Sequence, residues 1–332
     1  MRKGTTMKAV QASQFGAPSV LTVTDLPDPT PGPGQIAIDV THAAVGLIDV
    51  YLRQGLFKDA PGLPQPPYVP GLEVAGTVRA LGEGVTGFTV GEKVVSLSSN
   101  GTGGYASVYV SDQARVVSTN DYDIDPALAV AAVPNALMAH IALTRAISMS
   151  AGESVLIHGA LGGLAAAFPG IARQLGASRV VGTVRSERMG AAAASKLPYD
   201  TIVDSAQLPD VLGGEKFDVI VDPVGGLVRT QSLDLLAPSG RLLLVGNASG
   251  DWDHGIDGNR IWQGNITVAG FNAGGYVPAH PEAVQPAAEA ALKAVAGGLA
   301  DTEIEVLSLA DAATAHERLE NHATDGRIVL TP

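Results

Sequence analysis

The sequence contains no cysteine, few aromatic residues and few charged residues among its 332 positions. The absence of cysteine excludes disulfide bonds, thiolate nucleophiles and every zinc site that is built with cysteine ligands. Charged residues make up 16% of the chain and hydrophobic residues 46%, which is the composition of a protein with a large buried core rather than of a disordered chain. From this length we expect two domains.

Basic residues are also scarce, with 21 Lys and Arg against 33 Asp and Glu and a net charge of −12. Because no block of Lys and Arg is present to neutralise a phosphate backbone, we expect no nucleic-acid partner. Gly, Pro, Asp or Arg interrupts each apolar run, and the N-terminal stretch lacks the apolar segment of a secretory signal. We therefore expect no membrane partner and a cytoplasmic location.

The segment from Glu153 to Arg188 is the most informative part of the chain. It contains the apolar residues 155–157, the glycine-rich stretch HGALGGLA (158–165), a run of small residues, and the β-branched residues 180–184. Strand, glycine turn, helix and strand in this order predict a dinucleotide-binding unit. The glycines allow the backbone to approach a pyrophosphate, and a helix N-terminus offers free N–H groups to the same anion. Hydride transfer on a nicotinamide is the leading interpretation.

The residues after the second of these strands indicate which nicotinamide nucleotide is bound. NAD-binding units place an acidic residue there, whereas this chain has Arg185, Ser186 and Arg188. Guanidinium groups and a hydroxyl suit a 2′-phosphate, so the sequence predicts NADP(H) as the cofactor. The alternative is that these side chains form only a solvated, charged turn.

The order of predicted strands and helices along the chain predicts its domain organisation. Short β-type runs separated by Gly and Pro occupy residues 8–115 and predict a mostly-β domain, whereas strands alternate with helices over residues 126–270 and predict a doubly wound parallel sheet. We therefore expect an α/β fold in which residues 1–125 and 273–332 form the first domain. Residues 126–272 would form the second, cofactor-binding domain.

Two prolines fall inside predicted helices. Residues 127–146 predict a long helix of small residues with Pro134 near its middle. Pro169 lies in the helix that follows the glycine turn, where it removes a backbone hydrogen bond and crowds the preceding turn. We therefore expect this second helix to be kinked or interrupted.

Several ordered motifs along the chain carry a family resemblance. They are GLIDVYLRQGLF (46–57), YVPGLEVAGTVRALGEGVTGFTVGEKV (68–94), GGYASVYV (103–110), HGALGGLA (158–165), FDVIVDPVGG (217–226), LLAPSGRLLLVGNASG (235–250) and GRIVLTP (326–332). With these motifs the chain resembles the zinc-independent quinone oxidoreductases (the zeta-crystallin type) of the medium-chain dehydrogenase/reductase superfamily. The resemblance implies a GroES-like, mostly-β catalytic domain, a Rossmann cofactor domain, NADP(H) as cofactor and a homodimer, with the edge strand near 266–271 as the expected dimer contact.

The departures from the superfamily pattern are equally informative. Zinc-dependent members have a Cys ligand at the position of Gly46 and a His ligand at the position of Leu72, and neither residue present here binds zinc. We therefore expect no metal. Quinone reductases of this type have Asn at the Gly46 position, so the resemblance does not define how a substrate is oriented in this chain. Glu73 is expected to be a structural acid paired with Arg53 or another base.

The resemblance also implies which residues form the site. Tyr51 is the expected polar group over the hydride path, with a buried structural tyrosine as the alternative. For Asn247 and Asn272 the alternative to a cofactor contact is a role in turn formation only, since Asn is favoured in turns. The expected cofactor-binding residues are Gly46, Tyr51, Asn135, Ala160, Leu161, Gly162, Gly163, Leu164, Arg185, Ser186, Arg188, Val224, Gly246, Asn247, Ala248, Ser249, Phe271, Asn272 and Arg327.

The function implied by the resemblance is NADPH-dependent reduction of a quinone or a related conjugated carbonyl by hydride transfer. An enoyl or alkenal C=C reductase of the same superfamily uses the same chemistry and is the first alternative. The second alternative comes from another class: a cofactor-binding structural or RNA-binding protein of the crystallin type, with little activity. The acidic composition argues against RNA binding.

Overall fold

A computed structural model describes residues 6–97, 102–208, 212–324 and 326–332. The strands are β1 (Thr6–Ala12), β2 (Leu21–Pro27), β3 (Gln35–Ala44), β4 (Val74–Leu81), β5 (Lys93–Ser96), β6 (Val108–Asp112), β7 (Val116–Ser118), β8 (Ser154–His158), β9 (Arg179–Val184), β10 (Thr201–Asp204), β11 (Phe217–Asp222), β12 (Leu236–Leu244), β13 (Thr267–Gly270), β14 (Ile304–Ser308) and β15 (Arg327–Thr331). The helices are α1 (Leu47–Gln54), α2 (Pro126–Ile141), α3 (Phe168–Gln174), α4 (Met189–Ala194), α5 (Leu227–Ser232), α6 (Gly258–Gln263), α7 (Ala273–Ala279), α8 (Val284–Ala296) and α9 (Ala312–Glu320).

The chain forms two compact units, Met1–Pro134 with Glu303–Pro332 and Asn135–Thr302. Residues 273–302, which the sequence assigns to the first domain, group with the second unit instead. The physical reason is the packing of α8 on α3. Gly170 of α3 lies so close to the backbone of Leu299 that a Cβ atom would not fit there.

The first unit is built on a seven-stranded sheet. Its strand order is β14-β15-β3-β4-β5-β7, with β6 also paired to β3, and β1 and β2 form a separate antiparallel pair. The pairings are antiparallel except for the parallel pair β14 and β15. The inner faces of these strands supply a continuous apolar core, which includes the fully buried Ile36, Ile38 and Tyr105. The predicted mostly-β first domain is confirmed.

The second unit contains a six-stranded parallel sheet with the order β10-β9-β8-β11-β12-β13. This is the doubly wound order, in which the direction of winding reverses between β8 and β11. Val155, Leu156 and Ile157 in β8 are completely buried, and such burial contributes about 1.5–3 kcal/mol for each aliphatic side chain. Continuous apolar strands are typical of a parallel sheet covered on both faces. The predicted Rossmann architecture is confirmed.

The segment after the glycine turn is interrupted, as Pro169 predicts. A 3₁₀ turn covers Ala165–Ala167, and α3 begins only at Phe168. Pro169 therefore lies in the first turn of α3, where its missing N–H group leaves no helical hydrogen bond unmade.

The sequence analysis expects Gly, Pro, Asp or Arg to interrupt each apolar run, yet Pro126–Ala146 is one continuous helical segment that contains Pro134. It is long and apolar enough to cross a membrane by length and composition. However, 78% of its most apolar window is buried within the protein, which is the pattern of a core helix. No other helix in the described ranges passes the same test.

Candidate cofactor and substrate site

The predicted cofactor residues of the second unit follow the carboxyl ends of its parallel strands. Residues 160–164 follow β8, residues 185–188 follow β9, and Val224 follows β11. Residues 246–249 come after β12, and residues 271–272 follow β13 directly. Because the carboxyl ends of parallel strands share one edge of the sheet, the fold brings these segments to the same edge. Ligands of doubly wound sheets bind at that edge, where the strand order reverses.

The glycine turn after β8 is held by backbone hydrogen bonds. Gly159 has a φ of +64°, which is a left-handed conformation that favours glycine. The N–H of Gly162 donates to the carbonyl of Gly159 at 2.8 Å, and the N–H of Ala160 donates to Thr183 of β9 at 2.9 Å. A Cβ atom at Gly162 would lie 3.2 Å from the Gly159 carbonyl oxygen. Because Gly162 has no side chain, another group can approach the backbone of the turn closely at this position.

Asn135 supports this turn from α2. Its Nδ2 donates to the carbonyl of Gly163 at 2.9 Å, and only 3% of the residue is exposed. The structure therefore gives Asn135 a contact with the turn itself. A cofactor contact from the same side chain stays a prediction.

His158 at the end of β8 forms a buried polar link that the sequence analysis missed. Its Nδ1 lies 3.0 Å from Thr183 Oγ1 and its Nε2 lies 3.0 Å from Ser232 Oγ. The Ser232 hydroxyl donates to the Val228 carbonyl, so the Nε2–H group donates to Ser232 and Nδ1 accepts from Thr183. Burial lowers the pKa of His158 to about 4. The ring is therefore neutral at physiological pH and ties β8 to β9 and α5.

Asp222 and Arg229 organise the loops after β11 and β12. Asp222 is fully buried, and its Oδ1 accepts the N–H groups of Val224 at 2.9 Å and Gly225 at 2.7 Å. Its Oδ2 accepts Arg229 Nε at 2.9 Å, and the other end of the guanidinium donates to the Gly246 carbonyl at 2.8 Å. One arginine therefore connects two of the predicted cofactor loops. An acidic residue that ends a buried strand before a glycine pair was the available sequence signal for this link.

The same two loops are joined by further backbone hydrogen bonds. The N–H of Ala248 donates to Pro223 at 3.1 Å, and the N–H of Ser249 donates to Val224 at 2.7 Å. Gly225 has a φ of +77°, and a Cβ atom there would overlap the side chain of Asn247. The glycine is therefore required both for the turn and for this close approach. The predicted residues Val224 and 246–249 form one structural unit.

The two predicted residues after β13 have contacts of their own. Phe271 is largely buried, and its ring centroid lies 5.3 Å from that of Tyr276. The Asn272 side chain accepts the N–H of Gly274 at 3.0 Å and so caps the N-terminus of α7. The turn-forming alternative for Asn272 is therefore present in the structure. A cofactor contact from Asn272 stays a prediction.

The residues after β9 form an exposed polar turn. The Nε atom of Arg185 lies 3.2 Å from Glu187 Oε1, and both side chains are more than half exposed. The N–H of Arg188 donates to the Arg185 carbonyl at 2.8 Å. The Ser186 hydroxyl donates to the carboxylate of Asp204, at the end of β10. Two of the predicted phosphate-binding side chains thus have acidic neighbours, Glu187 beside Arg185 and Asp204 beside Ser186, and the contact with Asp204 is one that the sequence does not show.

In the first unit, Asp49 organises the residues around the start of α1. Its Oδ2 accepts the N–H of Gly46 at 2.9 Å and its Oδ1 accepts the N–H of Gly71 at 3.2 Å. The residue is 2% exposed, and burial raises the pKa of Asp49 to about 7, against the opposing effect of the Gly46 hydrogen bond. Tyr51, two residues further along α1, is half-buried and meets the ring of Phe57 edge-on at 6.4 Å. Burial also raises the pKa of Tyr51.

A buried chain of hydrogen bonds leads away from Asp49. Arg53 Nε donates to His316 Nδ1 at 3.2 Å, so the proton of the neutral ring lies on Nε2. His316 Nε2 lies 3.2 Å from the Tyr105 hydroxyl, which in turn lies 3.4 Å from Asp49 Oδ2. Burial, with a smaller effect of Arg53, lowers the pKa of His316 to about 3. Arg53 also forms an ion pair with Glu320.

Arg327 lies in the interior of the first unit, in β15. It forms an ion pair with Glu73, and the two side chains are only 9% and 6% exposed. The expectation that Glu73 pairs with Arg53 or another base is met by Arg327. We assign Arg327, which the sequence analysis placed among the cofactor-binding residues, to this buried pair. The two residues are 254 positions apart, so the sequence gave no local signal for their contact.

Across the described ranges, no group of three or more His, Cys, Asp or Glu residues is arranged to hold a metal ion. The two positions at which zinc-dependent relatives have ligands contain Gly46 and the buried Leu72. The nearby carboxylates of Asp49 and Glu73 have protein partners instead.

Comparison with known proteins agrees with this architecture. Residues 32–121 match the family described as the alcohol dehydrogenase GroES-like domain, and residues 197–330 match the family described as zinc-binding dehydrogenase. The second description does not imply cysteine ligands here, because the chain has no cysteine. The chain is 32% identical over 333 residues to a quinone oxidoreductase of Pseudomonas aeruginosa, covering 98% of this chain and 99% of the relative.

Two further relatives are informative. The crystal structure of Escherichia coli quinone oxidoreductase complexed with NADPH has a TM-score of 0.85 and 26% identity, covering 98% of this chain and all of the other. A 2-haloacrylate reductase from a Burkholderia species is 30% identical over 312 residues, covering 91% of this chain and 92% of the relative. The chain therefore belongs to the quinone oxidoreductases of the medium-chain dehydrogenase/reductase superfamily.

Proposed function

We propose that the protein is an NADPH-dependent reductase that transfers hydride to quinones or to related conjugated carbonyls, without a metal. The observation that carries this proposal is the carboxyl edge of the six-stranded sheet, where the glycine turn and the loops after β11 and β12 meet the order reversal between β8 and β11. The Escherichia coli relative, which shares this fold, was solved with NADPH bound.

The residues at this edge fit a dinucleotide. The left-handed Gly159 and the bare Gly162 leave the backbone of the turn accessible to a pyrophosphate. Arg185 and Arg188 are the basic side chains that would contact a 2′-phosphate. The loops joined by Arg229 offer the dinucleotide two kinds of polar group, the Asn247 side chain and the backbone of residues 246–249. When bound, NADPH would supply the hydride.

The protein's own contribution is to position the reacting groups and to stabilise the charge that develops on the acceptor oxygen. We propose the Tyr51 phenol as the donor to that oxygen, because it is the phenol on the first turns of α1 and is only half-buried. The raised pKa of Tyr51 keeps the phenol protonated at neutral pH, as a donor must be.

Tyr51→Phe tests this role. We expect the turnover number to fall about tenfold or more, since a positioned proton donor contributes at least that much, while the NADPH dissociation constant changes little. Steady-state kinetics and an NADPH titration of the same preparation provide both values. Phe57→Leu, which changes the ring next to Tyr51 but keeps the hydroxyl, is the matched control. An unchanged turnover number in Tyr51→Phe would remove the tyrosine from the mechanism.

A C=C reductase acting on alkenals or enoyl substrates is the second candidate, favoured by the similarity to the 2-haloacrylate reductase. NADPH oxidation should be measured side by side with an ortho-quinone and with an alkenal. A higher kcat/KM for the quinone supports the proposal, and a higher value for the alkenal supports the second candidate. Oxidation with neither acceptor, despite NADPH binding, would favour the non-enzymatic cofactor-binding alternative.

We further propose a cytoplasmic homodimer without a nucleic-acid partner. The strand β13 forms one end of the six-stranded sheet, and a second copy of the chain could extend the sheet from this edge. The net charge of −12 argues against binding to a phosphate backbone. Light scattering coupled to size-exclusion chromatography measures the mass directly, and a monomeric mass would contradict the homodimer.

A further inference from the structure

Asp204 lies next to the residues that the proposed function assigns to the 2′-phosphate of NADPH. It is the last residue of β10, and its partner in the parallel register is Val184, the last residue of β9. Arg185 and Ser186 follow Val184 directly. The end of β10 therefore brings an acidic side chain to the same corner of the sheet.

The geometry fixes the Asp204 carboxylate in this corner. The Ser186 hydroxyl donates to Oδ2 at 2.6 Å, which is the length of a charge-assisted hydrogen bond, and the N–H of Ala206 donates to Oδ1 at 2.9 Å. Both hydrogen bonds favour the ionised form and lower the pKa of Asp204. A negative charge is therefore held within hydrogen-bond distance of the predicted phosphate ligand Ser186.

The local charges cancel. Arg185 and Arg188 contribute two positive charges, while Glu187, which is paired with Arg185, and Asp204 contribute two negative charges. A dianionic 2′-phosphate gains less in a corner without net charge than beside unopposed arginines, and the Asp204 carboxylate repels it directly. A ribose 2′-hydroxyl, in contrast, is a donor that a carboxylate can accept.

We propose that Asp204 is a specificity-determining residue that weakens the preference for the 2′-phosphate, so that the cofactor corner accepts both NADPH and NADH. The inference rests on the proposed function, because it requires a nicotinamide nucleotide at this edge of the sheet. It concerns only the adenosine end of the nucleotide and makes no claim about the substrate.

The test compares Asp204→Asn with the wild type by calorimetric titration of NADPH and NADH, and of adenosine 2′,5′-bisphosphate and 5′-AMP. Asparagine retains an acceptor for Ser186 or Ala206 but removes the charge. Glu289→Gln, on the exposed side of α8, removes the same charge elsewhere in the second unit and is the matched control. Thermal melting of each variant establishes that it is folded.

In the wild type we expect the dissociation constants of NADPH and NADH to lie within about tenfold of each other. Asp204→Asn should tighten NADPH and the bisphosphate about threefold to fivefold, as expected for an exposed charge contact, without tightening NADH or 5′-AMP. The gain in NADPH affinity should shrink at high salt. Glu289→Gln should leave the ratio of the NADPH and NADH dissociation constants unchanged.

Two results would overturn the inference while leaving the proposed function intact. One is a wild type that binds NADPH much more tightly than NADH, and the other is an unchanged NADPH to NADH ratio in a folded Asp204→Asn protein. A wild type that binds neither nucleotide would overturn the proposed function itself, and the inference with it. The two failures are therefore distinguishable.

Discussion

The polar residues around α1 and those at the carboxyl edge of the six-stranded sheet use buried charge in different ways. Around α1, buried charged groups pair with one another, as in Arg327 with Glu73 and Arg53 with Glu320. At the sheet edge, Asp222 and Arg229 also form an ion pair, and each of them in addition hydrogen-bonds to the backbone of a loop. The pairs around α1 connect residues of the first unit, whereas the pair of Asp222 and Arg229 holds two loops that we propose as part of the cofactor site.

The contacts around α1 involve the acids that lie beside the two positions at which zinc-dependent members of the superfamily have ligands. Gly46 and Leu72 offer no metal ligand, but the acids beside them remain. Asp49 now caps the start of α1 and holds Gly71, and Glu73 is paired with Arg327. The acids around α1 thus have structural partners, and we propose that a nicotinamide nucleotide at the second unit supplies the chemistry.

The largest expected effect comes from breaking the buried pair of the first unit. Arg327→Ala leaves Glu73 buried without its charge partner, which costs about 3–5 kcal/mol of the free energy of unfolding. The measurement is equilibrium unfolding in urea. Arg79→Ala is the matched control, because the pairs of Arg79 with Asp28 and Asp39 are partly exposed and should contribute less than about 1 kcal/mol. Equal losses in the two variants would contradict the structural role of the buried pair.

The next effect concerns Asp49 and depends on pH. Its pKa is raised to about 7 in the folded protein, so the folded state holds the proton more tightly than the unfolded state does. The stabilisation from this group is complete below the unfolded pKa, near 4, and is lost as the pH rises to about 7. Glu73, Arg327, Tyr105 and Tyr68 are the other charged or titratable groups around it.

Asp49→Asn isolates this contribution. The free energy of unfolding of the wild type relative to the variant should fall between pH 4 and pH 7 by an amount on the order of a few kcal/mol. Urea titrations of both proteins across this range measure the difference. Asp59→Asn, an exposed position in the same unit, is the control. A difference between wild type and Asp49→Asn that does not vary with pH would show that Asp49 is not protonated in the folded protein at neutral pH.

A smaller effect is expected at the sheet edge. Arg229→Lys retains a positive charge for Asp222 but removes the second donor, to the Gly246 carbonyl. We expect the free energy of unfolding to fall by about 1.5 kcal/mol, the worth of one hydrogen bond to a charged group, and NADPH binding to weaken about tenfold because the two loops are no longer held together. Arg241→Lys is the matched control. Arg241 pairs with Glu153, which lies just before β8 and so at the opposite end of the strands from the carboxyl edge. Unchanged NADPH affinity in Arg229→Lys would remove these loops from the binding site.

The sequence predicts the parts of this molecule that depend on local patterns. The apolar strands 155–157 and 217–222, the glycine turn and the interrupted helix at Pro169 all follow from residues that are close together in the chain. Each of these features is decided by periodicity, turn geometry or a missing N–H group. They were therefore accessible without a structure, and the fold follows from them.

The contacts that shape the candidate site were not accessible in the same way. Arg53 reaches His316 across 263 positions, and Ser186 reaches Asp204 across 18. Only the sheet register brings the ends of β9 and β10 together, so the sequence shows Glu187 beside the arginines after β9 but does not show Asp204 beside Ser186. Long-range pairing also places Arg327 in a buried ion pair with Glu73, 254 positions away, and its cofactor contact stays a prediction.

The central claim is that the carboxyl edge of the six-stranded sheet binds NADPH, and an NADPH titration of Gly162→Asp tests it most directly. Gly162 has ordinary backbone geometry, and a Cβ atom there has its nearest contact at 3.2 Å, so the variant should fold while placing a carboxylate in the glycine turn. We expect NADPH affinity to fall roughly 100-fold or more. Gly255→Asp, where nothing lies within 4 Å of a Cβ atom, should bind NADPH like the wild type. Wild-type affinity in a folded Gly162→Asp protein would contradict the account.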